Sequence, residues 1–569
     1  MLSFSAACCG YAKGLTEVII TGVDGQVYDN VMARLRINRL RLNDTIEERE
    51  VTRLHRLAPR DIESALAPYG FYSPVIDASL TTTENGWKAH YQITPGRQVY
   101  ITDVLVSIVG SEKSMAGLAD LQDIPSLRKG TPLNHPLYEE EKRNLLNRVR
   151  ALGFLDAAYS VSELRIDRRA YSAVIELVLD TGLRYQFGDI KSRQNVIYDD
   201  LLQHFIPFEK GDPFDRTLVQ QLQRDLYQTN YFGQVTIDGE IGNADDNQIP
   251  INVITDPREH YNKYTFGLGY ATDTGANVRF DWQNRLLNRM GHRAFSSLLV
   301  GDRESHVLFN YQAPGLNPRF ETITGSIKWN RELWEDTETE KFSAGAVYEY
   351  RTPTSYAAVS ALGIDEDYTI GSTSGRGRFL MPGLHRSITN ADDIINTQKG
   401  YRWSVDLEGA SEAILSDASF LKVRFNGTAI TSPISKWRLL GAANVGVILV
   451  DSIEDLPPSL RYYAGGEKSV RGYRYRTLGP EDDSGNIIGG KYLLTGSVTI
   501  DREVLENFRV SAFYDVGNAM NEWSFDLAQG IGVGAGVVLP FGQVKLEVAY
   551  PLTEDGTAQY VFIRVGADL

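Results

Sequence analysis

The last part of the chain, from about Tyr261 onward, alternates apolar and polar residues with a period of two. In the segment RWSVDLEGA, Trp403, Val405 and Leu407 fall on one face and polar or charged residues fall on the other. The segment FLKVRFNGT repeats the pattern. Successive side chains of a strand point to opposite faces, so the pattern predicts β-strands with one apolar face each. Hardly any helical stretch interrupts it before residue 569.

Strands of this kind fit either a soluble sheet or a membrane barrel. A soluble sheet packs its apolar face inward, but the sequence offers no second set of strands to cover so much apolar surface. In a membrane barrel the apolar face meets lipid and the charged face lines a water-filled lumen. Segments of roughly 18–20 residues per strand and turn predict about 16 antiparallel strands. We therefore predict an all-β transmembrane barrel for residues 259–569.

The residues before the barrel contain a threefold repeat. Each unit has a strand, an amphipathic helix, a short turn and an aromatic residue, followed by further strands; the aromatic residues are Phe71, Phe154 and Phe232. This arrangement predicts three β-α-α-β-β units, each an α+β domain, and a core position for the aromatic residue. The predicted boundaries are 15–97, 98–183 and 184–258. Residues 1–14 are interpreted as the remnant of a signal peptide or as an added leader.

Composition excludes several classes of function. The formal net charge is -15, which argues against nucleic acid as the main partner. The only cysteines are Cys8 and Cys9, and the eight histidines show no metal-ligand spacing, so neither a metal site nor a disulfide framework is expected. The segment GIGVGAG from Gly530 places its glycines at period two within a strand, which predicts close backbone packing and not a nucleotide loop. No cofactor is expected.

A basic and aromatic segment, GGEKSVRGYRYRTLGP, begins at Gly465 of this acidic chain. It lies between two predicted strands, in a loop of about 40 residues, which is far longer than an ordinary hairpin connection. In the later strand RVSAFYDVG, Asp515 falls on the face opposite the apolar one. A loop folded into the lumen could therefore place Arg471 against Asp515 as a guanidinium–carboxylate pair.

These motifs resemble those of the BamA/TamA superfamily of outer-membrane protein insertases. The matching residues are Val470, Arg471, Gly472 and Tyr473 in the loop motif and Phe513, Asp515 and Gly517 in the strand motif Phe-x-Asp-x-Gly. The three repeats resemble POTRA domains. Their number, and the ending Gly-x-acid-Leu, resemble the TamA branch in particular.

One position departs from the superfamily pattern. Members often carry a glutamate in a Ser-x-Glu pattern on the strand before Phe-x-Asp-x-Gly, whereas this chain has Thr499 there. Asp501 lies two residues further along and on the same face of the predicted strand. It is therefore a candidate substitute for the missing carboxylate.

The resemblance implies a protein of the bacterial outer membrane with its POTRA domains in the periplasm. It implies an assembly factor, and not an enzyme, that inserts or translocates client proteins such as β-barrels and autotransporters into the bilayer without ATP. A TamB-like periplasmic protein anchored in the inner membrane is the implied partner. Two alternatives are a two-partner-secretion-type exporter and a passive outer-membrane channel.

The expected route for clients is a weak seam between the first and last barrel strands. Gly267 and Gly269 lie in the first strand, and Val565 and Gly566 lie in the last. Glycine weakens strands, so this seam is expected to open sideways and to offer an edge for β-augmentation by a client strand.

Overall fold

The computed structural model describes residues 14–42, 46–83, 86–110, 118–239, 247–271, 275–540, 542–552 and 560–566. Three three-stranded sheets precede one sheet of 16 strands. The interpretation of residues 1–14 as a leader falls almost wholly outside the described residues. None of the described helices combines the length and the apolar character needed to span a bilayer.

The first repeat has the predicted β-α-α-β-β order. Its elements are β1 (Gly14–Thr21), α1 (Gly25–Arg34), α2 (Glu48–Leu66), β2 (Val75–Thr83) and β3 (Gly86–Thr94). Strand β3 lies in the middle of the sheet, parallel to β1 and antiparallel to β2. One face of α2 is buried because its apolar residues recur every three or four positions, at Val51, Leu54, Ala58, Ile62 and Ala65.

The second and third repeats use the same sheet order, with the last strand in the middle. The elements of the second repeat are β4 (Tyr100–Val109), α3 (His135–Ala151), β5 (Ala158–Asp167) and β6 (Ser172–Asp180). Those of the third repeat are β7 (Gln186–Arg193), α4 (Asp199–Gln203), α5 (Arg216–Gln228), β8 (Phe232–Gly239) and β9 (Gln248–Pro257). Among its described residues the second repeat has one α-helix and a 3-10 turn at Ala119–Leu121 where two helices were predicted. Phe154 and Phe232 are buried, as their core role requires.

The first repeat contains a histidine whose protonation opposes folding. The Nδ1 atom of His55 lies 3.0 Å from the hydroxyl oxygen of Tyr91, and burial lowers the pKa of His55. Folding lowers the pKa of His55, so the folded state binds a proton less readily than the unfolded state does. The contribution of His55 to the free energy of unfolding is therefore fully present above the unfolded-state pKa of about 6.5, and it is lost as the pH falls toward the folded-state pKa.

We expect the backbone amides of α2 to exchange with solvent more readily as the pH is lowered from about 7 to about 5. Hydrogen exchange followed by mass spectrometry, corrected for the intrinsic pH dependence of exchange, measures this effect. The variant His55→Gln should lose that component of the pH dependence. An unchanged pH dependence in the variant would assign the effect to other groups.

The remaining strands form a single antiparallel sheet in which every strand pairs with its neighbours in the chain. They are β10 (Asn262–Ala271), β11 (Gly275–Asn284), β12 (Arg293–Gly301), β13 (Glu304–Pro314), β14 (Glu321–Trp334), β15 (Thr337–Arg351), β16 (Ser355–Ile370), β17 (Thr373–Ala391), β18 (Gly400–Ala410), β19 (Phe420–Ile434), β20 (Trp437–Leu449), β21 (Tyr492–Leu505), β22 (Phe508–Met520), β23 (Ala528–Leu539), β24 (Gly542–Pro551) and β25 (Tyr560–Gly566). The predicted number of strands is confirmed.

Side-chain burial in this sheet is the reverse of that in a soluble protein. On β22, Tyr514 is 40% exposed, whereas the adjacent Asp515 is fully buried. On β24, Leu546 is exposed, whereas the adjacent Glu547 is buried. The apolar residues therefore face outward and the charged residues face inward, which suits a surface in contact with lipid and a polar lumen.

Candidate functional site in the barrel lumen

The connection between β20 and β21, residues 450–491, lies inside the barrel; we call it the lumen loop. Leu456 and Ala464 of this loop belong to one buried apolar cluster with Phe379 and Met381 of β17. Val470 and Tyr473 are also buried. Apolar contacts with the inner wall therefore hold the loop in the lumen.

Arg471 makes a bidentate contact with Asp515 of β22. Its Nε donates to Oδ2 of Asp515 at 2.7 Å and its Nη2 donates to Oδ1 at 2.8 Å. The backbone N–H of Arg471 also donates to Oδ2, at 3.0 Å. Both side chains are almost completely buried. In a site of low dielectric, planar bidentate pairing of this kind is strong and directional.

A second carboxylate, which the sequence analysis did not identify, completes the site. Glu547 of β24 accepts a hydrogen bond from Nη1 of Arg471 at 2.9 Å. Its other oxygen lies 3.3 Å from Nη2 of Arg564, and the Nε of Arg564 donates to Glu467 of the lumen loop at 3.1 Å. The alternation along β24 places Glu547 toward the lumen, but nothing in the sequence indicates which of the inward-facing acids Arg471 would reach.

Phe513 and Ser497 also contact the guanidinium group of Arg471. The ring centroid of Phe513 lies 3.4 Å from Cζ of Arg471, which is a cation–π contact. The Oγ of Ser497 accepts from Nη2 of Arg471 at 3.1 Å and donates to Asp515 at 2.6 Å. The hydroxyl of Tyr473 donates to the carbonyl oxygen of Gln529 at 3.3 Å.

Two glycines, Gly472 and Gly530, allow the lumen loop to approach the wall, and a third, Gly517, allows β22 to approach β21. Gly472 has φ 103, and a Cβ atom there would lie 2.8 Å from the backbone carbon of Tyr550. A Cβ on Gly530 of β23 would lie 1.9 Å from the carbonyl oxygen of Arg471, and one on Gly517 would lie 2.5 Å from the carbonyl oxygen of Leu494. The close backbone packing predicted for the glycines that begin at Gly530 is therefore present.

The interpretation of Asp501 as a substitute carboxylate for Arg471 is wrong. Asp501 forms a buried ion pair with Arg438 of β20 and lies 3.8 Å from Nζ of Lys545. Arg438 also donates to the carbonyl oxygen of Thr397 at 2.8 Å. Asp501 does share an inward face with Thr499, but two residues along a strand span about 6.6 Å. This displacement is sufficient to give Asp501 a different cationic partner.

The predicted seam residues lie on the two end strands of the sheet, β10 and β25, which we call the edge strands. Gly267 and Gly269 pair with β11, and Val565 and Gly566 pair with β24. Within the described ranges, no backbone ladder joins β10 to β25. The expected pairing of the first strand with the last is therefore not formed there.

Acidic and histidine side chains do not assemble into a metal site within the described part of the chain, because no group of three or more His, Cys, Asp or Glu residues is suitably placed. The buried charges of the lumen site instead pair with one another. The site can therefore hold the lumen loop against β22 and β24, which is a structural and positioning task.

Small α/β repeats followed by a 16-stranded barrel that encloses a fixed loop define a class of outer-membrane barrel proteins with periplasmic POTRA domains. Family models match three parts of the chain. Residues 287–564 match the Omp85 superfamily domain, residues 17–95 match the POTRA domain TamA domain 1, and residues 185–258 match the POTRA family described as surface antigen variable number repeat. An Omp85 superfamily domain that follows POTRA domains is therefore the architecture that the family models support.

Individual relatives are distant in sequence. The outer membrane protein assembly factor BamA of Nitratidesulfovibrio vulgaris is 21% identical over 432 residues, which cover 70% of this chain and 53% of the relative. This chain thus spans about half the length of that curated relative.

Of two similar solved structures, the one with the higher TM-score shows the shared fold. BamA from Haemophilus ducreyi lacking POTRA domains 1–3 matches with a TM-score of 0.56 and 12% identity, covering 96% of this chain and 98% of that one. CdiB from Escherichia coli matches with a TM-score of 0.47 and 10% identity, covering 83% and 90% of the two chains.

Proposed function

We propose that this protein is an outer-membrane assembly factor that inserts or translocates client proteins between its two edge strands. The observation that carries the proposal is that the sheet ends in β10 and β25 with no ladder between their described residues. An unpaired edge is a template for another strand. The similarity to the assembly factor BamA supports the same activity.

The edge strand β10 has features suited to a temporary pairing. Phe266 and Leu268 of this strand are largely exposed on its outer face, where lipid or a client strand would cover them. Gly267 and Gly269 alternate with them and offer no side chain that would hold a neighbouring strand in place. A client strand would therefore bind through its backbone and leave again at little cost.

No nucleotide would be needed for this activity. A client strand in lipid must satisfy every backbone hydrogen bond, and only a closed barrel does so. Folding of the client is thus favourable once its strands have entered the bilayer. The role of the assembly factor would be to lower the barrier by supplying a paired edge during entry.

We place the protein in the TamA branch of the superfamily. The match of residues 17–95 to the first POTRA domain of TamA supports this placement, as do the three α/β sheets. A TamB-like protein of the periplasm is the proposed partner. Recovery of such a protein with the full chain from native membranes, after crosslinking in intact cells, would support the assignment; its absence alongside recovery of BamA-type accessory proteins would contradict it.

Reconstitution tests the activity directly. The protein is placed in liposomes of outer-membrane phospholipids, and a urea-unfolded eight-stranded barrel protein is added as the client. Folding of the client is followed by its shift on unheated gels. We expect folding at least tenfold faster than in empty liposomes. A rate equal to that in empty liposomes would overturn the proposed function.

A crosslinked variant tests the route through the edge strands. Cys8 and Cys9 are replaced by serine, and the pair Phe266→Cys and Ile563→Cys, two exposed outer-face positions of β10 and β25, is introduced and oxidised. We expect the client to fold only at the rate seen in empty liposomes, and reduction of the disulfide to restore the faster rate. Full activity of the oxidised form would exclude opening between β10 and β25.

The matched control is a disulfide across an established ladder. Ile327 of β14 faces Ala344 of β15, so Ile327→Cys with Ala344→Cys introduces the same chemistry away from the edge strands. This variant should remain as active as the parent in both the oxidised and the reduced form.

A further inference from the structure

The lumen loop has a second anchor, which lies five residues after Arg471. Arg476 places its Cζ atom 4.2 Å from the ring centroid of Trp334 and 5.0 Å from that of Tyr475. Its Nη1 lies 3.3 Å from Oε2 of Glu332. Trp334 is buried and meets Tyr463 of the lumen loop edge to face, with centroids 5.9 Å apart. Cation–π contacts with several rings are favourable when they are partly desolvated.

The same part of the barrel wall binds the beginning of the lumen loop. Glu366 of β16 is completely buried and accepts a hydrogen bond from the backbone N–H of Ser459 at 3.2 Å, as well as one from its hydroxyl. Glu332 and Trp334 belong to β14. One side of the lumen loop is thus bound to β14 and β16, and the Arg471 side is bound to β22 and β24.

These two groups of strands lie on either side of the edge strands. In the sheet order, β14 is the fifth strand counted from the β10 edge, and β24 is the second counted from the β25 edge. Around the barrel, the path from β24 to β14 through the edge strands is shorter than the path through the continuous sheet. The segment of the lumen loop from Arg471 to Arg476 therefore spans the gap between β10 and β25.

We propose that Arg476 is a positioning residue which, together with Arg471, makes the lumen loop a brace across the two edge strands, and that the Arg476 end is released when those strands separate. This proposal depends on the proposed function in one respect only: the proposed function explains why the edge strands would separate, namely to admit a client strand. With both anchors bound, the lumen loop limits the distance between β14 and β24, and hence the gap between β10 and β25.

The difference between the two anchors indicates which one is released. The side chain of Arg471 is 5% exposed and its two acidic partners are buried, whereas Arg476 and Glu332 are 23% and 25% exposed. Water therefore competes more readily for the partners of Arg476 than for those of Arg471. Arg476 also has φ 60, which is unfavourable for a residue with a side chain and is relieved when the loop moves.

The proposal is tested by the rate of disulfide formation between cysteines at Phe266 and Ile563, or at whichever neighbouring pair of outer-face positions crosslinks fastest, in detergent and without any client. The variant Arg476→Gln should crosslink at least threefold more slowly than the parent, because its edge strands spend less time together. Arg476→Lys, which keeps the charge without the planar group, should give an intermediate rate. Glu332→Gln should produce a smaller change in the same direction.

The matched control is Arg502→Gln. Arg502 lies 5.1 Å from the ring of Trp437, and both residues belong to adjacent strands of the continuous sheet. Its loss removes an arginine–tryptophan contact of the same kind but leaves the brace intact, so crosslinking should proceed at the parental rate. The thermal midpoint of each variant is measured in parallel to detect general loosening of the barrel.

Two results would overturn the brace: a parental crosslinking rate in Arg476→Gln, or an equal decrease in Arg502→Gln. The measurement is independent of client assembly. A parent protein that fails to fold clients, together with slower crosslinking in Arg476→Gln, would reject the proposed function and retain the brace. A parent protein that folds clients, together with a crosslinking rate that is unchanged in Arg476→Gln, would retain the proposed function and reject the brace.

Discussion

Arg471→Ala is expected to destabilise the barrel by about 3–5 kcal/mol, because it removes the guanidinium from two buried carboxylates. Asp515 would lose its bidentate partner, while Glu547 would keep only its contact with Arg564 at 3.3 Å. We expect a folded barrel with a displaced lumen loop. The measurements are the thermal midpoint in detergent and the cleavage of the lumen loop by trypsin at its arginines.

A double-mutant cycle separates the Arg471–Asp515 contact from general damage. Arg471→Ala and Asp515→Ala are measured singly and together, and the coupling free energy should be about 1–3 kcal/mol, as for other pairs in direct contact. Arg471→Lys should recover only part of the loss, because an ammonium group cannot form the planar bidentate contact or cover the ring of Phe513 in the same way. Simple additivity of the two alanine variants would mean that the pair contributes no specific interaction.

Gly530→Ala should displace the lumen loop without removing any charged group. The added methyl would have to occupy a position 1.9 Å from the carbonyl oxygen of Arg471, and backbone atoms cannot move aside as flexible side chains do. We expect a loss of stability of about 1–3 kcal/mol, typical of overpacking, together with rapid cleavage of the lumen loop by trypsin.

Gly441→Ala is the matched control for this substitution. Gly441 also lies in a barrel strand, but an added Cβ would meet no atom within 4 Å. This variant should resist trypsin as the parent does. If Gly530→Ala were equally resistant, the close approach of the lumen loop to β23 would not be needed to hold it in place.

The sequence determined the type of every major part of this protein. Period-two alternation over residues 259–569 requires strands with opposed apolar and polar faces, and the lack of any covering layer leaves lipid as the medium for the apolar face. The threefold pattern of helix, turn and aromatic residue predicted the α/β repeats. The contact between Arg471 and Asp515 could be predicted because both residues stand in motifs that resemble those of the BamA/TamA superfamily; the long loop and the lumen-facing strand are compatible with the contact but do not single it out.

Only the tertiary structure decided which inward-facing charges meet. Alternation assigns a side chain to a face but does not give its height in the barrel or the strands that the lumen loop reaches. Glu547 is therefore the second partner of Arg471, and Asp501 forms its ion pair with Arg438. The contact of Arg476 with Trp334 joins residues separated by more than 140 positions in the chain, and it depends on strand register and on the path of the lumen loop. These are properties of the 16-stranded sheet as a whole, and no local pattern encodes them.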